Sequence, residues 1–134
     1  MARYLLDTNI CIYLTKHQHP ALNQRFLSLA ENDVAISVIT FGELQFGAQK
    51  SQHRSKALQA LDKLSAVIPV LDMQQEVGQL YGEIRATLQQ KGTPIGNNDL
   101  WIAAHALSEK LILVTNNENE FMRVPNLSVE NWIV

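Results

Sequence analysis

The sequence predicts an α/β protein with a central, mostly parallel sheet of four to five strands covered by helices. Short apolar runs alternate along the chain with amphipathic helical patterns, an order that favours parallel strands joined by right-handed crossovers. The run at 111–114 is apolar at every position, and the run at 34–39 is rich in β-branched residues. Such runs are typical of strands covered on both faces. The length of 134 residues fits one domain.

Each predicted element follows from a local pattern. Strands are expected at 4–6, 34–39, 67–71 and 111–114, with a short last strand that includes Leu127 and Val129. Pro69 weakens the third strand candidate because proline cannot donate a ladder hydrogen bond. The clearest helical stripe lies within 77–88 and stops before Gly92 and Pro94. Other helices are predicted around the apolar stripes at 10–14, 22–29, 58–64 and 100–107, and from Thr40 to about Lys50.

Composition excludes several classes of protein. The 11 basic and 13 acidic residues give a net charge of −2, so the chain is not a protein that coats nucleic acid by general electrostatics. A single cysteine, Cys11, cannot form an intramolecular disulfide. No apolar run reaches the roughly 18 residues of a membrane span. We therefore expect a soluble protein of a reducing, intracellular compartment.

Acidic residues fall where predicted strands end or the following helices begin. In chain order these residues are Asp7, Glu43, Asp99, Glu118 and Glu120. Because ligands of open parallel sheets bind outside the carboxyl ends of the strands, these carboxylates are expected at one edge of the sheet. Grouped carboxylates repel each other unless a cation neutralises them. A ligand set made only of oxygen suits Mg²⁺ or Mn²⁺ rather than zinc.

Helix capping is the alternative explanation for the same residues. Thr40 and Glu43 have the spacing of a capping box, in which the glutamate bonds back to the threonine amide. Asp99 or Asn98 could cap the helix that follows, and Asp7 could cap the short helix after the first strand. Glu118 and Glu120 could be solvated side chains at a helix N-terminus.

Four ordered segments of the chain resemble the motifs of PIN-domain ribonucleases. They are LDTN at 6–9, followed by Ile10 and Tyr13; SVITFGEL at 37–44, with Gly47; PIGNNDLWIAAHA at 94–106; and VTNNENEF at 114–121. In order and spacing, the whole chain over 1–134 resembles the VapC toxins of bacterial type II toxin–antitoxin systems. The resemblance implies a single PIN domain with an α/β/α sandwich fold.

The resemblance also implies an activity and partners. We expect a toxic, Mg²⁺-dependent endoribonuclease of the cytoplasm, in which Mn²⁺ substitutes and metal-activated water cleaves the RNA. A VapB-type antitoxin is the expected inhibitor, and a homodimer is the expected state. Similarity to the enterobacterial VapC proteins points to tRNA as substrate, with initiator tRNA cut in its anticodon loop.

The same resemblance assigns roles to single residues. Asp7 and Asp99 are expected to bind the metal directly, whereas Glu43 and Glu120 bind through water, orient the attacking water or hold a second metal. Many family members have aspartate where this chain has Asn117, so Glu120 is the expected fourth acid, with Glu118 behind it. The acids or metal-bound waters are expected to accept hydrogen bonds from Thr8, Asn9, Thr115 and Asn117.

Three other functions fit the sequence less well. A haloacid-dehalogenase-type phosphohydrolase needs a second aspartate two residues after Asp7, where Asn9 stands. A receiver-type signalling domain needs a lysine after a late strand, and Val114-Thr115-Asn116 supplies none. A catalytically silent, partner-binding PIN domain is disfavoured because Asp7, Glu43 and Asp99 are all present.

Other polar features have simpler interpretations. His17 and His19 lack a third metal ligand and are expected in a solvated loop. His105 is expected to be a packed or hydrogen-bonded side chain rather than a catalytic base. The modest basic stretch from Lys50 to Lys63 is expected to be a solvated helix face, and only secondarily a patch for phosphate contacts.

Overall fold

The protein, described here by a computed structural model of residues 2–30 and 32–133, forms a fully parallel sheet between helices. The strands are β1 (Tyr4–Leu6), β2 (Val34–Ser37), β3 (Val70–Leu71), β4 (Ile112–Val114) and β5 (Val129–Glu130). The helices are α1 (Thr8–Lys16), α2 (Pro20–Leu27), α3 (Val38–Gln49), α4 (Arg54–Val67), α5 (Gln75–Gln90), α6 (Asn97–Glu109) and α7 (Glu118–Phe121). The strand order is β3-β2-β1-β4-β5, which confirms the predicted α/β class.

Two apolar cores lie on opposite faces of the sheet. Successive strand residues point to opposite faces, so in β1 Leu5 packs into one core and Leu6 into the other. The first core joins the sheet to α5 and α6, for example through Leu88 and Leu100. The second core joins it to helices that include α1, for example through Ile10. All three residues of β1 are buried, as expected for a central strand covered on both sides.

The second strand is shorter than its sequence pattern predicts. β2 ends at Ser37, and the β-branched residues Val38 and Ile39 begin α3 instead of extending the strand. The Ser37 hydroxyl accepts a hydrogen bond from the Ile39 amide at 3.1 Å and so caps the helix. Thr40 therefore lies inside the first turn, and the predicted Thr40–Glu43 capping box is wrong.

The third strand is also shorter than predicted. α4 continues to Val67, Ile68 is extended, and only Val70 and Leu71 form β3. Pro69 disfavours a helical conformation at the residue before it, which explains where α4 stops. The Pro69 carbonyl still accepts a hydrogen bond from the Ile36 amide at 2.9 Å, so the proline is tolerated in this edge segment.

His105 is buried in the position that the packed interpretation predicts. It is fully buried on α6, and its Nδ1 lies 2.8 Å from the Ser37 Oγ. Burial lowers the pKa of the imidazole, which favours the neutral ring. Ser37 therefore connects two elements, because its hydroxyl contacts both the start of α3 and the middle of α6.

Of the two histidines predicted in a solvated loop, the first is exposed as predicted and the second is half-buried. His17 is exposed, with its Nδ1 3.2 Å from Asn23 Nδ2, and His19 packs edge-on against Tyr13. No helix within the described residues is long and apolar enough to cross a membrane.

Candidate active site

Asp7 lies between β1 and α1, at the carboxyl end of the central strand. Its side chain is 5% exposed, and Oδ1 accepts a hydrogen bond from the Ile10 amide at 3.0 Å. Burial raises the pKa of Asp7, although hydrogen bonds from the Thr115 hydroxyl and the Ile10 amide oppose this effect. The negative charge of Glu43 raises the pKa further. Asp7 therefore caps α1 as the alternative interpretation predicted, but it does so within reach of other acids.

Glu43 is held by polar side chains from two other helices. The Thr8 hydroxyl of α1 donates a hydrogen bond to Oε1, and Asn98 Nδ2 of α6 donates to Oε2 at 3.2 Å. Both carboxylate oxygens thus have partners, and neither bond returns to the start of α3. Glu43 is positioned by tertiary contacts, which supports a role in a site rather than in a helix cap.

Asp99 and Glu120 come together at the loop before α6. The Gly96 amide donates to Glu120 Oε1 at 3.2 Å, and Asn117 Nδ2 donates to Glu120 Oε2. A Cβ built on Gly96 would lie 3.9 Å from Glu120 Oε1 and 4.0 Å from Asp99 Oδ2. Any side chain at position 96 would therefore occupy space beside both carboxylates. Gly96 is also the N-cap of α6, without a side-chain cap, so the predicted capping by Asn98 or Asp99 is wrong.

Mutual repulsion of the acids is visible in the ionisation of Asp99. Its pKa is raised to about 7, first by burial and then by the charge of Glu120 and a hydrogen bond with it. The charges of Asp7 and Glu43 raise the pKa further. The ion pairs found among residues 2–30 and 32–133, Arg3–Asp33 and Arg25–Glu130, include none of these four acids. The site thus gathers negative charge without a basic partner from the described part of the chain.

The ligand set fits a divalent cation that prefers oxygen. All four side chains are carboxylates, and Mg²⁺ characteristically binds through one or two carboxylates while keeping several waters. Among the described residues, no three acidic, histidine or cysteine side chains are already grouped tightly enough to enclose an ion. The four acids therefore form no closed metal site of the structural kind within the described residues.

The residues predicted to support the acids by hydrogen bonds contact different members of the site. Thr8 contacts Glu43, Thr115 contacts Asp7, and Asn117 contacts Glu120. Asn9 is exposed, and it is its main-chain amide that supports Asp7. Sequence reasoning missed Asn98 and Gly96 as site residues, and considered Asn98 only as a helix cap.

Glu118 points away from the other acids. Its Oε1 accepts a hydrogen bond from Asn131 Nδ2 at 3.0 Å, and the same amide group donates to Asn116 Oδ1 at 3.1 Å. Glu118 therefore binds the C-terminal segment, whereas Glu120, two residues later in the same short helix, is turned towards Gly96. This geometry supports Glu120 as the fourth acid.

A parallel sheet of this order with carboxylates at its carboxyl edge defines the class of the protein. The family described as PIN domain matches residues 4–127, and PIN-domain nucleases generally depend on divalent metal ions. Ribonuclease VapC2 of Rickettsia felis is 45% identical over 130 residues, covering 96% of this chain and 97% of the relative. The tRNA(fMet)-specific endonuclease VapC of Shigella flexneri is 41% identical over 132 residues, covering 98% of this chain and 99% of the relative.

Solved structures agree with the sequence relatives. The DNA-bound VapBC of Salmonella typhimurium has a chain with a TM-score of 0.93 and 39% identity, covering 98% of this chain and 99% of that chain. A chain of VapBC2 from Rickettsia felis, bound to a promoter DNA fragment, has a TM-score of 0.90 and 43% identity, covering 96% of this chain and 98% of that chain. The chain belongs to the VapC ribonucleases, the PIN-domain toxins of VapBC toxin–antitoxin systems. The phosphohydrolase and receiver-domain alternatives are therefore wrong.

Proposed function

We propose that this ribonuclease hydrolyses RNA with a Mg²⁺-activated water at the site formed by Asp7, Glu43, Asp99 and Glu120. The observation that carries the proposal is the convergence of four carboxylates from distant chain segments, whose charges add to the effect of burial in raising the pKa of Asp99 to about 7. Acids that repel each other without a basic partner are unfavourable by themselves, and a divalent cation removes the repulsion. Mn²⁺ prefers similar ligands and is expected to substitute.

The four acids have different proposed roles, which follow from their positions. Asp7 and Asp99 would hold the cation directly. A bound cation would lower the pKa of a coordinated water and offset the charge of the scissile phosphate. Glu43, whose two oxygens are fixed by Thr8 and Asn98, would orient the attacking water or bind through water. Glu120, fixed by Gly96 and Asn117, would act in the same way.

The proposed substrate is tRNA. The Shigella flexneri relative is named a tRNA(fMet)-specific endonuclease, and its similarity extends over 98% of this chain. We therefore propose that this enzyme acts in the bacterial cytoplasm on initiator tRNA, cutting in the anticodon loop. The proposal takes residues 1–134 as one PIN domain and as half of a homodimer, which light scattering of the purified toxin tests.

The proposed inhibitor is a VapB-type antitoxin. An arginine or lysine of its C-terminal part would enter the acidic site, because a guanidinium binds carboxylates in a bidentate way and competes with metal. A cavity of about 340 Å³ beside Glu43 is lined by apolar residues of three helices, among them Ile12, Leu44 and Leu61. Apolar side chains of the antitoxin are expected to pack there, between α1 and α3.

Sequencing of RNA ends after brief expression tests activity and substrate together. Cleavage confined to one tRNA position, absent in Asp7→Asn, is the expected result. In vitro, cleavage should require Mg²⁺ or Mn²⁺, stop in EDTA and not be restored by zinc, because the site offers no nitrogen or sulfur ligands. Undiminished cleavage in excess chelator would contradict the metal-dependent mechanism, as would unchanged RNA ends in cells.

A further inference from the structure

An exposed aromatic side chain lies next to the acidic site without a structural role in the described fold. Phe46 of α3 is 66% exposed, whereas burying a phenylalanine is worth roughly 1.5–3 kcal/mol. It follows Glu43 by three residues, so the two side chains lie on the same face of the helix. Both residues line one open cavity of about 730 Å³, together with Thr8 and Asn98. The cavity therefore borders the acidic site at Glu43.

The rest of this cavity has the chemistry that a nucleotide requires. The Lys50 Nζ lies 5.0 Å from the centroid of the Phe46 ring, and Lys50 forms no ion pair within residues 2–30 and 32–133. The apolar residues Val38 and Ile39 also line the cavity. An aromatic ring in contact with a cation that has no acidic partner in the described residues matches the combination that binds single-stranded nucleic acid, in which bases stack and phosphates pair with basic side chains.

Two glycines keep the same face of α3 open. Gly42 and Gly47 also line the cavity, and a Cβ at either position would meet no atom within 4 Å. Glycine inside a helix costs about 1 kcal/mol relative to alanine, and no packing contact within the described structure accounts for this cost here. Side chains at these two positions would project into open space at the wall of the cavity, so the glycines leave the cavity wider.

We propose that Phe46 stacks on an RNA base next to the scissile bond and that Lys50 contacts a neighbouring phosphate. The proposal rests on the proposed ribonuclease function and makes Phe46 a residue that positions the substrate. Stacking holds substrate and transition state alike, so it lowers KM without raising kcat. A base flanking the cut is thus fixed on α3, while the acids act on the phosphodiester.

Steady-state cleavage of an initiator tRNA anticodon stem–loop tests the proposal in Mg²⁺. For Phe46→Ala we expect KM to rise about tenfold with kcat changed less than about twofold, because losing one stacked base weakens binding by about this factor. Phe46→Trp should keep the KM of the wild type, and Lys50→Gln should raise KM with a weaker salt dependence. Leu27→Ala is the matched control, since Leu27 is 80% exposed and lines a cavity without any of the four acids.

A spectroscopic measurement separates stacking from other effects. The same stem–loop with 2-aminopurine beside the scissile bond, bound to Asp7→Asn, should lose fluorescence, and the Asp7→Asn/Phe46→Ala double variant should not quench it. An unchanged KM for Phe46→Ala, with weaker antitoxin binding or a dissociated dimer, would overturn the proposal and assign Phe46 to a protein interface. If wild-type protein cleaves no RNA at all, the proposed function fails instead.

Discussion

Replacing Asp99 by asparagine is expected to stabilise the metal-free protein at neutral pH. The pKa of Asp99 is raised to about 7 in the folded protein, from 3.8 in the unfolded chain. Between these values the folded protein keeps a proton that the unfolded chain has lost, so the free energy of unfolding falls as pH rises from about 4 to 7. Asparagine has no charge to repel Glu120, Asp7 or Glu43, and the variant avoids this loss.

The magnitude follows from the size of the pKa difference. About three units correspond to about 4 kcal/mol at 1.36 kcal/mol per unit, but the side chain is partly exposed and solvent screens the repulsion. Asparagine also loses the favourable interaction of Asp99 with the N-terminus of α6, roughly 0.5 kcal/mol. A net gain of about 1–2 kcal/mol remains, which raises Tm by about 3–6 °C for a domain of this size.

Thermal unfolding of the two proteins in EDTA measures the effect. The difference in Tm should be largest at pH 8, shrink as the pH falls through 7, and disappear near pH 4. Saturating Mg²⁺ should raise Tm of the wild type more than that of Asp99→Asn, because the cation neutralises the same repulsion. Glu118→Gln, which removes an acid bonded to Asn131, is the matched control and should show neither effect. A Tm for Asp99→Asn equal to or below that of the wild type at every pH would refute the reasoning.

Three further predictions concern the neighbouring residues. Asp7→Asn should abolish RNA cleavage and retain the circular dichroism spectrum, because asparagine caps α1 as well as aspartate does; a wild-type cleavage rate would remove Asp7 from the site. Glu120→Gln should weaken both RNA cleavage and antitoxin binding in a titration, whereas Glu118→Gln should change neither; the reverse pattern would show that Glu118 is the fourth acid. Ser37→Ala should lower the free energy of unfolding by about 1–3 kcal/mol in urea titrations, because it removes the cap of α3 and the hydrogen-bond partner of buried His105; a loss below about 0.5 kcal/mol would contradict this role.

The sheet and the convergence of the acids could be predicted because both depend on periodicity and chain order. Parallel strands have their carboxyl ends at one edge, so Asp7 after β1 and Glu120 after β4 are expected at that edge, whereas Asp99 begins α6, which follows α5 and not a strand. The boundary at Ser37 could not be predicted in this way. Val38 and Ile39 favour a strand by their local preference, and a single hydroxyl bond to the Ile39 amide outweighs it.

The orientation of single side chains was also beyond the sequence. Glu118 and Glu120 lie in the same four-residue helix, and only their contacts with Asn131 and Gly96 show that they point to different places. The local sequence indicates only a helix cap for Asn98. Its contact with Glu43 joins residues 55 positions apart, so no local pattern predicts it. Such long-range pairs leave no periodic signal in the sequence.

The order of the strands has a consequence for when the toxin becomes active during its synthesis. β1 is made early but pairs in the sheet with β4, and the Asp7 amide donates to the Val114 carbonyl at 3.0 Å. Glu120 lies beyond β4 in the chain, so the other three acids can meet it only after this segment has been made. A nascent chain on the ribosome thus carries three of the four acids without a complete site, and contacts between such distant segments form slowly. The complete set of four acids therefore exists only after the segment that follows β4 has been made and has packed beside β1.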